Sequence, residues 1–318
     1  MRVTGIRSAG SVGVANYCSR LAEALAARGV DYVVAERPSA TASSHFHLAN
    51  SSRRCLGQIL RATKPFVVTV HDVVPRDRRL MPVYRHVIWP LLARRDATFV
   101  VHSRFAAEML NDESRVLPEQ VRVIAHPVVV PTTGDRQSSR TALGWPTDTL
   151  IAVLPGVLKS AKLVSQAIAA AANGQARFQL ALVGRGTQPD LIAQAKKAGV
   201  WVVSNPDQRT YEHAIVAADA VLVLRDGSVG ETNGPLLDAL GAGRAVLATP
   251  TGSIPEVANA AASYVAGDAD SIRAGLVGLA DDGARAMHEA HARTVARALS
   301  PDVIARAHAD LFEEVFGV

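Results

Sequence analysis

Short aliphatic runs alternate with amphipathic segments along almost the whole chain. The runs that predict strands cover residues 32–35, 66–70, 98–101, 150–154, 179–183, 200–203, 220–224 and 245–248. The segments that predict helices cover residues 15–27, 105–111, 163–172, 191–198, 211–217 and 235–242. Strands and helices in this alternation are typical of parallel sheets that are covered by helices on both faces. We therefore expect an α/β fold with doubly wound sheets.

One polar segment, PTTGDRQSSRTALGW at residues 131–145, interrupts this alternation. It is rich in Gly, Ser and Thr and has no apolar period, so it predicts a connection between two domains. We expect Rossmann-like domains at residues 1–135 and 142–298, followed by an amphipathic helix within residues 299–318. Two such domains that face each other form a central cleft, and open α/β sheets bind ligands at the carboxyl ends of their strands.

The composition of the chain bears on its fold class, its binding partners and its location in the cell. Of the 318 residues, 48% are hydrophobic but only 5% are aromatic, which suits aliphatic strands buried on both faces. The formal charge of +5 is spread along the chain and does not indicate a nucleic-acid-binding arm. Cys18 and Cys55 lack metal-binding spacing, and we see no signal peptide and no apolar run long enough to span a membrane. We expect a cytoplasmic protein.

The strongest chemical signal is the stretch GETNGPLLDALGAGRAVLATPTGSIPEV at residues 230–257. It follows a predicted strand and opens a helix with Pro235 in the first turn, a favoured place for proline. A glycine-rich loop before a helix presents backbone N–H groups and the positive end of the helix dipole, which suit a sugar diphosphate. Glu231 supplies a carboxylate that can hold sugar hydroxyls, and Asp238 lies one turn into the helix.

This stretch resembles the donor-binding loop of the retaining GT-B glycosyltransferases of family 4. That family carries two glutamates, with seven residues between them, around a Gly–Pro–Leu–Leu core. PLLDALGAGRAVLAT matches the second half, with Asp238 at the second glutamate, whereas Glu231 lies one residue beyond the place of the first. The resemblance implies that the closing helix crosses back onto the first domain. It also implies a donor site that includes Glu231, Thr232, Asn233, Gly234, Pro235 and Asp238, and a catalytic role for Glu231.

A basic pair, Lys159 and Lys162, lies in the segment LPGVLKSAKLVSQAI between a predicted strand and helix. Two ammonium groups there can neutralise a diphosphate and stabilise the leaving nucleotide, although paired lysines in a loop are usually solvated surface. The family has a basic pair at this point, which implies a catalytic Lys162 and no need for a metal ion. The segment ALVGRG resembles the glycine turn beside the nucleotide and implies a donor contact at Gly184.

In the first half, Gly10, Ser11 and Gly13 precede a helix, which alone is a weak phosphate-binding signal. The family uses this position to bring backbone amides near the donor phosphate. The segment HFHLANSS resembles a family strand end on the acceptor side, which implies acceptor contacts at His47 and Asn50.

The segment VVTVHDVVPR places His71 and Asp72 at the carboxyl edge of a buried strand. Such a pair can be an active-site histidine with its orienting carboxylate, or a structural histidine. The family carries a histidine at the matching place, so we expect His71 to be catalytic. We expect Asp72 and Arg76 to contact the acceptor.

The resulting hypothesis is transfer of a sugar from a nucleotide-diphosphate sugar, with UDP or GDP as the nucleotide, to an acceptor hydroxyl with retention of configuration. The acceptor can be a glycan, a lipid-linked glycan or a small metabolite, and no cofactor is expected. Two alternatives stay open. One is a GT-B-fold pseudoglycosyltransferase or epimerase, and the other is a non-catalytic nucleotide-sugar-binding protein.

Residues 76–96 combine six arginines with the apolar residues Leu80, Met81, Val83, Ile88 and Trp89. This composition fits either peripheral contact with the anionic inner face of a membrane or a helix that covers the core with its arginines in solvent.

Overall fold

The computed structural model describes residues 2–7, 12–38, 42–49, 53–62, 65–94, 97–114, 116–158, 160–172, 177–186 and 188–317. It divides into two compact units. Unit 1 comprises Met1–Pro127, Val229–Thr232 and Leu299–Val318, and unit 2 comprises Val128–Ser228 and Asn233–Ala298. Among the described residues, no helix has both the length and the apolar character that a membrane crossing requires.

Unit 1 contains a six-stranded sheet in the order β2-β1-β3-β4-β5-β6, in which every neighbouring pair is parallel. Its strands are β1 (Arg2–Ile6), β2 (Asp31–Ala35), β3 (Ser43–Leu48), β4 (Phe66–Val70), β5 (Ala97–Val101) and β6 (Val121–Val123). Its helices are α1 (Val12–Ala26), α2 (Arg53–Ile59), α3 (Met81–Val83), α4 (Trp89–Ala93), α5 (Arg104–Glu113) and α14 (Pro301–Phe316).

Unit 2 contains a second parallel sheet, in the order β12-β11-β10-β7-β8-β9. Its strands are β7 (Ile151–Val157), β8 (Gln179–Arg185), β9 (Trp201–Ser204), β10 (Ala220–Val223), β11 (Ala245–Ala248) and β12 (Ala262–Tyr264). Its helices are α6 (Arg136–Leu143), α7 (Val164–Ala171), α8 (Pro189–Lys197), α9 (Gln208–Ala217), α10 (Gly234–Gly241), α11 (Ile254–Ala258), α12 (Ala269–Leu279) and α13 (Asp282–Ala298). The predicted architecture of two doubly wound Rossmann-like domains is confirmed.

Both faces of the unit 1 sheet are covered by apolar clusters. On one face, Phe46 and Phe66 of the sheet pack with Trp89 and Leu110. On the other face, residues of α1 and α14 pack together, and Phe312 is fully buried there. This two-sided burial explains why β4 and β5 are continuous aliphatic runs in the sequence.

The polar segment predicted as a connection contains a helix, α6. Asp135 caps its N-terminus, since the Asp135 side chain accepts a hydrogen bond from Ser138 N at 2.8 Å. Arg140 is buried, donates to Ala217 O at 3.0 Å and forms an ion pair with Asp219. Although the segment has no apolar period, it forms a helix because α6 is anchored to its unit through this buried arginine.

Residues 78–93 form one continuous helical segment made of a 3-10 turn, α3, a π-helical turn over Tyr84–Ile88, and α4. In the π turn, Trp89 N–H bonds to Tyr84 O, five residues earlier. Tyr84, Trp89 and Leu92 are therefore brought to the buried face of the segment.

Candidate functional site

The strand order of unit 2 reverses between β7 and β10, which are hydrogen-bonded neighbours. A crevice outside the carboxyl ends of two such strands is the usual ligand site of a doubly wound sheet. The chain leaves β7 toward Lys162 and leaves β10 toward α10. Lys162 and the predicted donor residues of the glycine-rich loop and α10 therefore follow the two strands at the switch point.

Lys162 ends a 3-10 turn just after β7 and is 8% exposed. Its Nζ donates a hydrogen bond to Pro155 O at 2.8 Å, which fixes the ammonium group beside the strand end. Gly156, with φ +98°, leaves room for it, since a Cβ at that position would lie 2.6 Å from Lys162 Nζ and 3.2 Å from Pro235 Cγ. The ammonium group and the first turn of α10 thus border the same position.

Asn233 is the N-cap of α10, and its Oδ1 accepts a hydrogen bond from Leu236 N at 3.1 Å. Pro235 has no backbone N–H, so this helix end offers fewer amides to an anion than the sequence pattern implies. The positive end of the helix dipole remains available, and Gly234 at the tip is exposed. Asn233 therefore has a structural role that the sequence analysis did not anticipate.

Asp238 lies on α10 and accepts a hydrogen bond from the Tyr211 hydroxyl at 2.9 Å. Burial, followed by the neighbouring charge of Asp238, raises the pKa of Tyr211 well above its ordinary value. Tyr211 stays protonated and holds one carboxylate oxygen of Asp238. The sequence analysis noticed the helix that contains Tyr211 but did not assign this side chain to the site.

Residues 229–232, the first part of the glycine-rich loop, belong to unit 1. Val73 N and Val74 N both donate to Val229 O, at 2.9 and 3.2 Å. Gly230, with φ +84°, fits only without a side chain, because a Cβ there would lie 2.6 Å from Val73 Cγ2. The Glu231 carboxylate accepts a hydrogen bond from Val229 N at 2.8 Å, so the loop orients it through its own backbone.

His71 follows β4, is half-buried, and contacts His47 of the neighbouring strand β3. The distance from His71 Nε2 to His47 Nδ1 is 3.3 Å. Asp72 instead forms an ion pair with Arg76 at 2.8 Å. Asp72 and Arg76, which the sequence analysis predicted to contact the acceptor, therefore lie together after β4. His47 is fully buried, behind His71.

Six histidines gather in unit 1 around Tyr17 and Tyr32: His45, His47, His71, His102, His126 and His308. Burial is the largest cause that lowers the pKa of each of them, to about 4 for His102 and His308 and to about 3 for His126. Across the described ranges, no three His, Cys, Asp or Glu side chains are placed to share a metal ion. The cluster is a neutral, aromatic interior at physiological pH.

The other predicted site residues lie as follows. Gly10, Ser11, Asn50 and Lys159 lie outside the described residues. Gly13 is exposed on α1, and Thr232 is half-buried in the loop. Gly184 is required by packing, since a Cβ there would lie 1.7 Å from Gly156 O of β7.

One Asp-x-Asp triplet, Asp268 to Asp270, has a structural explanation. Asp268 caps α12 by accepting from Ser271 N at 2.8 Å, and Asp270 forms an ion pair with Arg273. Both carboxylates thus stabilise the start of α12.

No protein-family model matches this sequence, and no curated protein matches it. Solved structures do resemble it in fold. A glycosyltransferase from Rickettsia africae is 15% identical and superposes with a TM-score of 0.73, over 99% of this chain and 98% of its own. Sucrose-phosphate synthase from Thermosynechococcus elongatus is 18% identical, with a TM-score of 0.78 and complete coverage of both chains.

HepE from Anabaena, solved in complex with UDP, is 14% identical to this chain. It superposes with a TM-score of 0.78 over 99% of this chain and 100% of its own. At these identities the likeness establishes the fold, which is the GT-B fold of two Rossmann-like domains.

Proposed function

We propose that this protein transfers a sugar from a nucleotide-diphosphate sugar to an acceptor hydroxyl. The observation that carries the proposal is the convergence of Lys162 Nζ and the first turn of α10 on Gly156, at the switch point of unit 2. A buried ammonium group and a positive helix end beside one position suit a diphosphate. The fold shared with HepE, which was solved with UDP, supports the same reading.

Each residue then has a defined role. Lys162 and the start of α10 hold the diphosphate and stabilise the charge that develops on it as the glycosidic bond breaks. Glu231 holds sugar hydroxyls, and Asp238, oriented by Tyr211, holds the ribose. UDP or GDP is the expected nucleotide, and the basic groups replace a metal ion. His71 is the proposed catalytic histidine, on the strength of its match to the histidine of the family.

The pattern around Glu231 and Asp238 favours a family 4 enzyme that retains the anomeric configuration. The test is incubation with UDP- and GDP-sugars, with nucleoside diphosphate release as the readout. The anomeric configuration of the transferred or hydrolysed sugar is then read by NMR. We expect release from one nucleotide class and an initial product with the donor's configuration. Inverted product would overturn the family 4 assignment, and no release from any donor would overturn the transferase.

We also propose that the protein is cytoplasmic and contacts an anionic membrane surface through residues 78–94. Val83, Val87 and Leu91 recur every fourth residue on this helical segment and are 46%, 55% and 42% exposed. Arg85, His86 and Arg94 line one depression with Val87 and Leu91, and Arg78 and Arg79 lie in the 3-10 turn before α3. The segment contains no acidic residue. An exposed apolar stripe with basic flanks is the pattern of an interfacial helix.

A further inference from the structure

A chain of hydrogen bonds runs through the interior of unit 1 and ends at His71. Thr69 Oγ1 lies 2.7 Å from His45 Nε2, and His45 Nδ1 lies 3.0 Å from the Tyr32 hydroxyl. The Tyr32 hydroxyl lies 2.9 Å from His47 Nε2, and His47 Nδ1 lies 3.3 Å from His71 Nε2. Thr69, His45 and His47 are fully buried.

We propose that this chain fixes the tautomer of His71, so that His71 presents a neutral Nδ1–H donor to an oxygen atom of the substrate. Thr69, His45, Tyr32 and His47 are then positioning residues. The identity of the substrate rests on the proposed function, whereas the tautomer of His71 follows from the chain alone.

The tautomers along the chain are coupled, because a neutral imidazole has one N–H donor and one acceptor nitrogen. Two arrangements satisfy every bond and also give the Tyr32 hydroxyl hydrogen an acceptor. A third, in which Tyr32 accepts from both His45 and His47, leaves that hydrogen buried without an acceptor and is disfavoured. In the first, the Thr69 hydroxyl donates to His45, all bonds point toward His71, and His71 Nε2 accepts while Nδ1 carries the hydrogen. In the second, all bonds point away from His71, and His71 Nδ1 is an acceptor that could work as a base.

Thr69 decides between the two arrangements. Its side chain is fully buried, and His45 is its hydrogen-bond partner among the described residues. In the second arrangement the Thr69 hydroxyl would accept from His45, and its own hydrogen would be buried without an acceptor, which is costly. In the first arrangement that hydrogen is donated to His45. The first arrangement is therefore the stable one.

The surroundings keep the chain neutral. The Tyr17 ring of α1 and the His102 ring after β5 lie 5.0 and 5.2 Å from His71, and His126 and His308 complete the cluster. The charge of Arg20 acts on the cluster through His126. Burial and the neighbouring imidazoles lower the pKa of His45, His47 and His71 well below the ordinary value. His71 can thus donate a hydrogen bond without carrying a charge.

The direct test is a two-bond proton–nitrogen NMR correlation of the full chain labelled with ¹⁵N-histidine, with His71→Asn used to assign the signal. We expect a protonated Nδ1 and an unprotonated Nε2 at His71. Thr69→Val keeps the shape but removes the deciding donor, and Tyr32→Phe breaks the chain, so both should shift the signal toward the Nε2–H form.

The matched control is Tyr17→Phe, which also removes a buried hydroxyl beside His71. The Tyr17 hydroxyl bonds to His308 Nε2 at 3.2 Å and lies outside the chain, so the His71 signal should not move. A wild-type His71 with Nε2–H would overturn the proposal, and so would a Tyr17→Phe variant whose His71 signal moves toward the Nε2–H form. Because this readout needs no substrate, it stands even where the transferase assay fails.

A second readout uses activity. Asparagine at position 71 places an amide N–H near the site of Nδ1, whereas glutamine places it near Nε2. We expect His71→Asn to retain roughly tenfold more turnover than His71→Ala, and His71→Gln to resemble His71→Ala. An Asn variant no better than Ala would favour a base at Nδ1 and contradict a donor.

Discussion

Lys162 is a buried cation at the edge of unit 2, and its environment explains its position. An ammonium group loses hydration when it is buried, so it must be compensated by polar groups. Pro155 O supplies one hydrogen bond, and the absence of a side chain at Gly156 supplies the space. The group is held in place before a ligand arrives, which is what electrostatic stabilisation of a leaving diphosphate requires.

We therefore expect Lys162→Ala to lower turnover by roughly 10²- to 10³-fold, since one fixed charge on the leaving group is lost. The matched control is Lys196→Ala, which removes an exposed lysine of α8 in the same unit. Lys162→Arg should not restore activity, because Gly156 leaves space for a compact ammonium group and not for a planar guanidinium. Steady-state kinetics of folded variants decide this. Turnover within about twofold of wild type in Lys162→Ala would contradict the assignment.

At the scale of single residues, the sequence could indicate which side chains are candidates for the site more readily than which side chains they contact. Lys162 and Asp238 were identified from a strand–loop–helix pattern, which can be recognised from residues that are close together in the sequence. The partner of His71 is His47, which lies on a different strand, so no local pattern could predict it. The spacing of His45 and His47, which places both on one face of β3, is the signal that could have indicated a histidine cluster.

At the scale of elements, buried aliphatic strands were predicted best. The predictions at 66–70 and 245–248 match β4 and β11, while most other boundaries shift by a few residues. The strand β1 was missed and β3 was only partly recognised, because they bury polar residues such as Thr4, Ser44 and His45. The hydrogen-bond partners of His45 are Tyr32 and Thr69, 13 and 24 residues away, so its burial could not be anticipated from the local sequence.

The sequence analysis left two interpretations of the segment 78–93, a helix that covers the core and a membrane contact, and the structure has features of both. Tyr84, Trp89 and Leu92 cover the core, as a structural helix would, while Val83, Val87 and Leu91 remain exposed on another face. The π turn makes this possible, because it aligns Tyr84 with Trp89 on the buried face and leaves Val87 between them exposed.

For this element we expect Val83→Asp to reduce co-sedimentation with vesicles that contain anionic lipid, because a carboxylate replaces apolar area and repels the surface. Val277→Asp on α12 is the matched control, since Val83 and Val277 are each 46% exposed. Wild-type protein should not sediment with neutral vesicles. Equal sedimentation of both variants, or none of the wild type, would contradict membrane contact by this segment.

At the scale of the molecule, the histidine cluster couples the stability of unit 1 to pH. The pKa of His102 and of His308 is lowered to about 4, whereas an unfolded histidine titrates near its ordinary value of 6.5. The stabilisation is complete above the unfolded value. This stabilisation is lost as the pH falls from the pKa of the unfolded histidines toward the pKa of the folded ones. In that range the histidines of the unfolded chain bind protons, whereas those of the folded chain stay neutral.

We expect the free energy of unfolding to fall between about pH 6.5 and about pH 4, by up to about 1.4 kcal/mol per pH unit for each neutral histidine. Urea unfolding across this range measures the slope. The double variant Tyr17→Phe with His308→Leu removes one titrating histidine together with the hydroxyl that bonds to it, and should take up about one proton fewer on unfolding. A stability that does not change over this range would contradict a neutral cluster.

The central claim is that unit 2 binds a nucleoside diphosphate at Lys162 and α10. Thermal unfolding against UDP, GDP, ADP and dTDP tests it most directly. A ligand at about a hundred times its dissociation constant stabilises the folded state by roughly 2.7 kcal/mol, which raises the melting temperature clearly. We predict a rise with UDP or GDP in the wild type and a much smaller one in Lys162→Ala. No rise with any nucleotide, or an equal rise in Lys162→Ala, would contradict the account.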